Sequence, residues 1–128
     1  MHNRLTWALA LLVLLAGCDA GPASESTVRV LGRVTWHGQP VRRGCVIFTA
    51  DPQRNTHHDL AIGTLHFDGS YELATADGLP PQPGWYRVTL MSEDEHIVIT
   101  AKFADPMFSG VSATIVGPSP QRIDLDLP

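Results

Sequence analysis

Residues 28–40 read Val-Arg-Val-Leu-Gly-Arg-Val-Thr-Trp-His-Gly-Gln-Pro. Val28, Val30, Gly32 and Val34 fall on one face and Arg29, Leu31, Arg33 and Thr35 on the other, the two-residue period of a half-buried strand. His37-Gly38-Gln39-Pro40 then supplies turn chemistry. The same grammar repeats outward from this stretch. Gly44–Ala50 puts Val46 and Phe48 on one side, and a loop from Asp51 to Asp59 follows, broken by Pro52 and Asn55. Ala61–Phe67 and Ser70–Thr75 flank Asp68-Gly69, a short-range hairpin signal. Ala76–Gly84 holds three prolines and two glycines and reads as a connection. Trp85–Ser92 resumes the alternation with Tyr86, Val88 and Leu90 inward, and His96–Thr100, Val111–Val116 and Gln121–Leu127 complete the set. No sustained 3.6-residue period occurs. Short strands at roughly 8 to 12 residue spacing with Gly/Pro turns predict an all-β domain, a seven- to eight-stranded antiparallel sandwich with Greek-key connections.

The chain's 128 residues leave room for one modest domain and exclude a large multidomain enzyme. Nine basic and thirteen acidic side chains give a formal charge of −4 with no dense Lys/Arg block. Nucleic-acid binding rests on neutralising phosphates with clustered cations, so no nucleic-acid partner is expected. A hydrophobic content of 44% with mean hydropathy near zero is that of a chain with a packed core.

The N-terminal segment reads as an address. Arg4 precedes the apolar run Leu5–Leu15, too short to cross a bilayer as a helix and placed as the h-region of an export signal. Leu15-Ala16-Gly17-Cys18 resembles the lipobox of bacterial lipoproteins, which implies cleavage between Gly17 and Cys18 and a diacylglyceryl thioether on Cys18. The expected organisation is a signal peptide over 1–17, a lipidated Cys18 with a flexible tether over 18–27, and the β-domain over 28–128. Each buried methylene contributes about 0.8 kcal/mol, so two or three acyl chains hold a protein on a membrane. Removal of 1–17 takes away Arg4 and no acid, and an acidic chain has no attraction of its own for anionic lipid. Localisation at the extracytoplasmic side of the cell envelope follows. With Cys18 lipidated, Cys45 has no disulfide partner and reads as a small buried hydrophobe.

Val30-Leu31-Gly32-Arg33-Val34-Thr35-Trp36-His37-Gly38-Gln39-Pro40-Val41, then Gly44 and Val46-Ile47-Phe48, resembles the opening of carboxypeptidase regulatory-like domains, the transthyretin-like sandwich. Asp68-Gly69-Ser70-Tyr71-Glu72-Leu73 and Pro83-Gly84-Trp85-Tyr86-Arg87-Val88-Thr89-Leu90 are similar to its later hallmarks. The tail, Ala101–Pro106 with Ser109–Ile115 and Asp124–Leu127, is similar to the version found as small lipoproteins in planctomycete bacteria. The resemblance implies a transthyretin-like Greek key and an envelope compartment, and brings no catalytic set with it.

Residues that carry chemistry are few. His37, His57, His58, His66 and His96 lack metal-ligand spacing, and the adjacent His57-His58 point apart on an extended chain, so no metal site is expected and the loop around them reads as solvated. No Gly-x-Ser-x-Gly elbow, phosphate-cradling loop or His-Glu-x-x-His pattern is present, so the chain is read as no enzyme and as needing no cofactor. Asp124 and Asp126 read as the solvent face of a final strand. Trp36 and Trp85, with Arg87, are the candidate binding surface for a sugar ring or an envelope protein. Edge-strand pairing or loop docking is the expected mode of contact.

Overall fold

The computed structural model describes residues 27–128. Nine strands follow in chain order: β1 (Val30–Trp36), β2 (Gln39–Pro40), β3 (Gly44–Ala50), β4 (Leu60–Thr64), β5 (Ser70–Glu72), β6 (Gly84–Ser92), β7 (Ser112–Ile115), β8 (Gln121–Arg122) and β9 (Leu125–Leu127), with one 3₁₀ turn at Ala101–Ala104. In the first sheet β1 is central, with β2 and β5 on one side and β8 and β9 on the other; the second sheet has the order β4-β3-β6-β7. The protein is an all-β sandwich.

Alternation decides which side chains meet between the sheets. Val30 and Val34 of β1, Tyr71 of β5 and Leu125 and Leu127 of β9 are buried, as are Val46, Phe48 and Ala50 of β3 and Tyr86, Val88 and Leu90 of β6. Phe48 lies between two rings, 6.2 Å from Tyr71 and 6.1 Å from Tyr86, and so joins both sheets. Full burial of such a side chain contributes roughly 2–3 kcal/mol. The Tyr71 hydroxyl donates to the Ile123 carbonyl at 2.6 Å and the Tyr86 hydroxyl to the Gln82 carbonyl at 2.7 Å, so each phenol buries its ring with its polar end satisfied. Burial pushes both phenols well above their ordinary pKa, with nearby Asp124 and Asp59 acting in the same direction.

Four expectations are corrected. The sheets are not wholly antiparallel: β8 and β9 run parallel to β1, pairing Leu31 with Arg122 and Val34 with Leu125. The final segment is broken between them at Ile123 and Asp124, where the Asp124 carboxylate accepts the Arg33 backbone N–H at 3.0 Å in place of a carbonyl. Asp124 is exposed, as expected for a solvent face, yet it also completes a ladder. His96–Thr100 forms no strand. The segments around Asp68-Gly69 do not make one continuous ladder. β4 pairs with β3 and β5 pairs with β1, and the two segments meet at an isolated bridge from Ile62 to Ala74 and at the His66 N–H, which donates to the Ser70 carbonyl at 2.9 Å. Gly63 lets the Tyr71 ring lie against β4, since a Cβ there would sit 2.7 Å from that ring.

Candidate functional site

The second sheet has two faces, and the outward one is unusual. Register places Leu60, Thr49, Arg87 and Ser112 in one row, Ile62, Ile47 and Thr89 in the next, and Thr64, Cys45 and Met91 in a third, with Trp85 beside Thr114 at the far end. The outer face of an antiparallel sandwich is ordinarily polar. Here Leu60 is 47% exposed, Ile62 42%, Met91 53% and Trp85 45%, and the half-buried Cys45 and Ile47 lie between them. Arg87 is the charged side chain of these rows, and Asp51 of the same chain balances it at 3.7 Å. Its guanidinium also reaches the Met107 sulfur at 3.1 Å, which extends the apolar surface toward the loop before β7.

A signal for this face was present in the uninterrupted runs Cys45-Val46-Ile47-Phe48 and Leu60-Ala61-Ile62. A strand that is apolar at consecutive positions is apolar on both sides. Cys45 accordingly is not a core residue: it is half-buried on the outer face. Burial, and then the charge of Glu93, push its thiol above the ordinary value, which suits a thiol of low reactivity.

The loop over the Trp85 end is solvated at Pro52–Arg54, Thr56 and His58, as expected, and is fastened from beneath by Asn55 and His57. The Asn55 amide acts as a surrogate strand: it accepts the Trp85 N–H at 3.0 Å and donates to the carbonyls of Trp85 at 2.8 Å and Asp51 at 2.9 Å. β3 ends at Ala50, opposite Tyr86, so this side chain continues the pairing one residue beyond the strand. His57 lies partly buried against Tyr86, accepts the Asp59 N–H on Nδ1 at 3.3 Å and meets the Pro83 carbonyl with Nε2 at 2.9 Å. Asp59 in turn accepts the Gln82 N–H at 3.0 Å. Gly84 is required beneath this loop, because a Cβ there would fall 2.9 Å from His57 Nε2 and closer still to Asn55.

The residues expected to form one binding surface are separated. Trp85 has the Arg54 guanidinium 4.9 Å from its ring centre. Trp36 is packed elsewhere, stacked on His37 at 4.4 Å and edge-on to Phe103 at 5.7 Å. Trp85 and Arg87 share the outer face; Trp36 is not part of it. Among the described residues no three His, Cys, Asp or Glu side chains converge as a metal cage. His58, His66 and His96 are exposed. Gly17 and Cys18 lie outside the described residues.

At the opposite end, an open cavity of about 310 Å³ is lined by Gln39, Pro40, Arg42, Asp94, His96 and Ile97. Asp94 is buried there, and the N–H of His96 at 3.0 Å holds its carboxyl below the usual range, with the Arg42 N–H adding to the effect and burial opposing it. The depressed value means that Asp94 adds stability above about pH 4, the ordinary carboxyl value, and loses it as pH falls through the folded one. Asp94→Asn should therefore flatten the acid limb of stability, measured as the urea midpoint between pH 3 and pH 6.

No family model matches the chain, and no curated protein matches it. Among solved structures, the chain is similar to the crystal structure of a DUF3823 family protein from Parabacteroides merdae, with a TM-score of 0.48 and 16% identity over 80% of this chain and 46% of that one. The chain thus spans less than half the length of that protein.

Proposed function

We propose that this chain is a non-catalytic, lipid-anchored module of the cell envelope that binds protein through the outer face of its second sheet. The observation that carries the reading is the exposure of Leu60, Ile62, Met91 and Trp85 among the Thr, Ser and Arg side chains of the outer face. The tetrapeptide Leu15-Ala16-Gly17-Cys18 supports the anchor on Cys18 and the extracytoplasmic side of a membrane. The order of Gly/Pro turns and strands supports kinship with carboxypeptidase regulatory-like lipoproteins of the planctomycete type. Protein is favoured over glycan as the partner because Trp85 lies beneath Arg54 and Trp36 is packed on Phe103, so the two indoles offer no shared platform.

The anchor is tested by Cys18→Ala. This variant should move from the membrane fraction to the soluble exported fraction. Retention on membranes after high-salt washing would reject the thioether.

A further inference from the structure

We propose that the cavity beside Arg42 and Asp94 binds one neutral sugar ring, held by its hydroxyl groups. The proposal stands apart from the outer face of the second sheet and from the anchor on Cys18.

Two segments tied to each other build the site. The Asp94 N–H donates to the Ser92 hydroxyl at 3.1 Å, the His96 N–H to the Asp94 carboxylate at 3.0 Å and the Ile97 N–H to the Asp94 carbonyl at 3.1 Å, which closes a turn after β6. The Glu93 N–H donates to the Arg43 carbonyl at 3.0 Å and the Arg42 N–H to the Asp94 carboxylate, so this turn is fixed to the segment between β2 and β3. Asp94 is only 9% exposed, yet it lines both the cavity of about 310 Å³ and a neighbouring one of about 240 Å³. A carboxylate has about four acceptor positions. The two backbone N–H groups leave part of that capacity for a ligand.

Donors surround this acceptor. The side chains of Gln39, Arg42 and His96 line the same space, and among the described residues none of the three makes a side-chain hydrogen bond within the chain. Arg42 is steadied by the Phe67 ring, 5.5 Å below its guanidinium. Pro40 and Ile97 supply an apolar wall. A hydroxyl both donates and accepts, so a pyranose can donate to Asp94 and accept from Arg42, Gln39 and His96 at once, with its C–H face against Pro40 and Ile97.

Charge and size narrow the class. Arg42 and Arg43 share the two cavities with Asp94 and Glu95, so an ion of either sign meets a like charge and a neutral hydroxylated ring meets none. Sites for small molecules begin at roughly 300 Å³, which fits one ring and leaves the rest of a glycan outside. The Val28 N–H bonds to the Pro81 carbonyl at 2.8 Å, close to the Trp85 end. The cavity is at the other pole, and a chain anchored through Cys18 presents it away from the lipid.

The test uses the chain isolated from cells, in a detergent without a sugar headgroup. Nitrogen-15 amide shifts are followed as the methyl glycosides of glucose, galactose, mannose and N-acetylglucosamine are added, each to about 50 mM. The expected result is saturable binding of at least one, with a Kd on the order of 1–10 mM for a ring of this size, and shifts confined to residues 39–42 and 92–97. Gln39→Ala and Arg42→Gln, at exposed positions, should each weaken binding about threefold with thermal unfolding unchanged, and Asp94→Asn about tenfold. Glucuronate, protonated glucosamine and alanine, an anion, a cation and a zwitterion, should bind no tighter than the neutral rings. Failure of all four glycosides to saturate overturns the proposal, as do shifts centred on Trp85 or binding that all three variants leave unchanged. A charged probe that binds about ten times tighter than every glycoside overturns the neutral sugar as the ligand class.

Discussion

Gly32→Ala should destabilise the domain by about 3–4 kcal/mol. A Cβ on Gly32 would land on the carbonyl of Ile123, with the carbonyl carbon at 2.6 Å and the Tyr71 hydroxyl at 3.0 Å. That carbonyl cannot retreat, because it accepts the Tyr71 hydroxyl and its own residue's N–H is bonded to Leu31 at 2.9 Å. Relief therefore requires the segment between β8 and β9 to leave β1. For a domain of about 100 residues this corresponds to a fall in Tm of roughly 12–30 °C. Hydrogen exchange at Leu125 and Leu127 should accelerate before that of β3 and β6. Gly38→Ala is the matched control: its φ of 82° strains an alanine, but nothing lies within 4 Å of the added methyl group. It should cost about 1 kcal/mol. Equal losses in the two variants would show that the approach of Ile123 is not what Gly32 serves.

Asn55→Ala should cost about 2 kcal/mol and open the loop above Trp85. The substitution removes one acceptor and two donors at once and leaves the Trp85 N–H without its partner. Arg54 then loses its fixed place over the indole, and trypsin should cleave after Arg54 at least ten times faster in native conditions while the core strands stay protected. Asn55→Asp separates the two halves of the clamp. A carboxylate still accepts the Trp85 N–H, but it sets charge against the carbonyls of Asp51 and Trp85, so this variant should be weaker at pH 7 than at pH 4. Unchanged proteolysis in Asn55→Ala would mean that His57 and Asp59 hold the loop alone.

Strand content was legible because alternation is local. Val30 and Val34, Val46 and Phe48, and Tyr86, Val88 and Leu90 announce their buried sides at every second position, and each is buried. Gly44–Ala50 is a strand over the full expected range. The partners of the strands were less legible. Asp68-Gly69 forms a tight turn, with the Ser70 N–H on the Asp68 carboxylate at 3.0 Å, yet the segments it joins pair in different sheets. Turn residues report the reversal of the chain and not where the two arms go next. His96–Thr100 alternates too, but the Asp94 turn that begins with the Ile97 N–H on the Asp94 carbonyl carries it away from any strand.

The outer face of the second sheet was legible in part. Trp85 and Arg87 were singled out by their outward register, whereas Trp36 shares their residue type and not their location. Leu60, Ile62 and Met91 were overlooked, since each sits in an apolar run that reads as core until the sheet shows which side is covered.

Local chemistry alone therefore dictated an all-β chain, the faces of most strands and the turns between them, because side-chain alternation and backbone conformational preference act within a few residues. Folding in three dimensions was needed to set β8 and β9 parallel to β1, to place the Ile123 carbonyl on Gly32, to turn the Asn55 amide into a strand surrogate and to leave Leu60, Ile62 and Met91 exposed on one face. Those features come from groups distant in the chain competing for the same hydrogen bonds and the same space, and that competition has no signature in neighbouring residues.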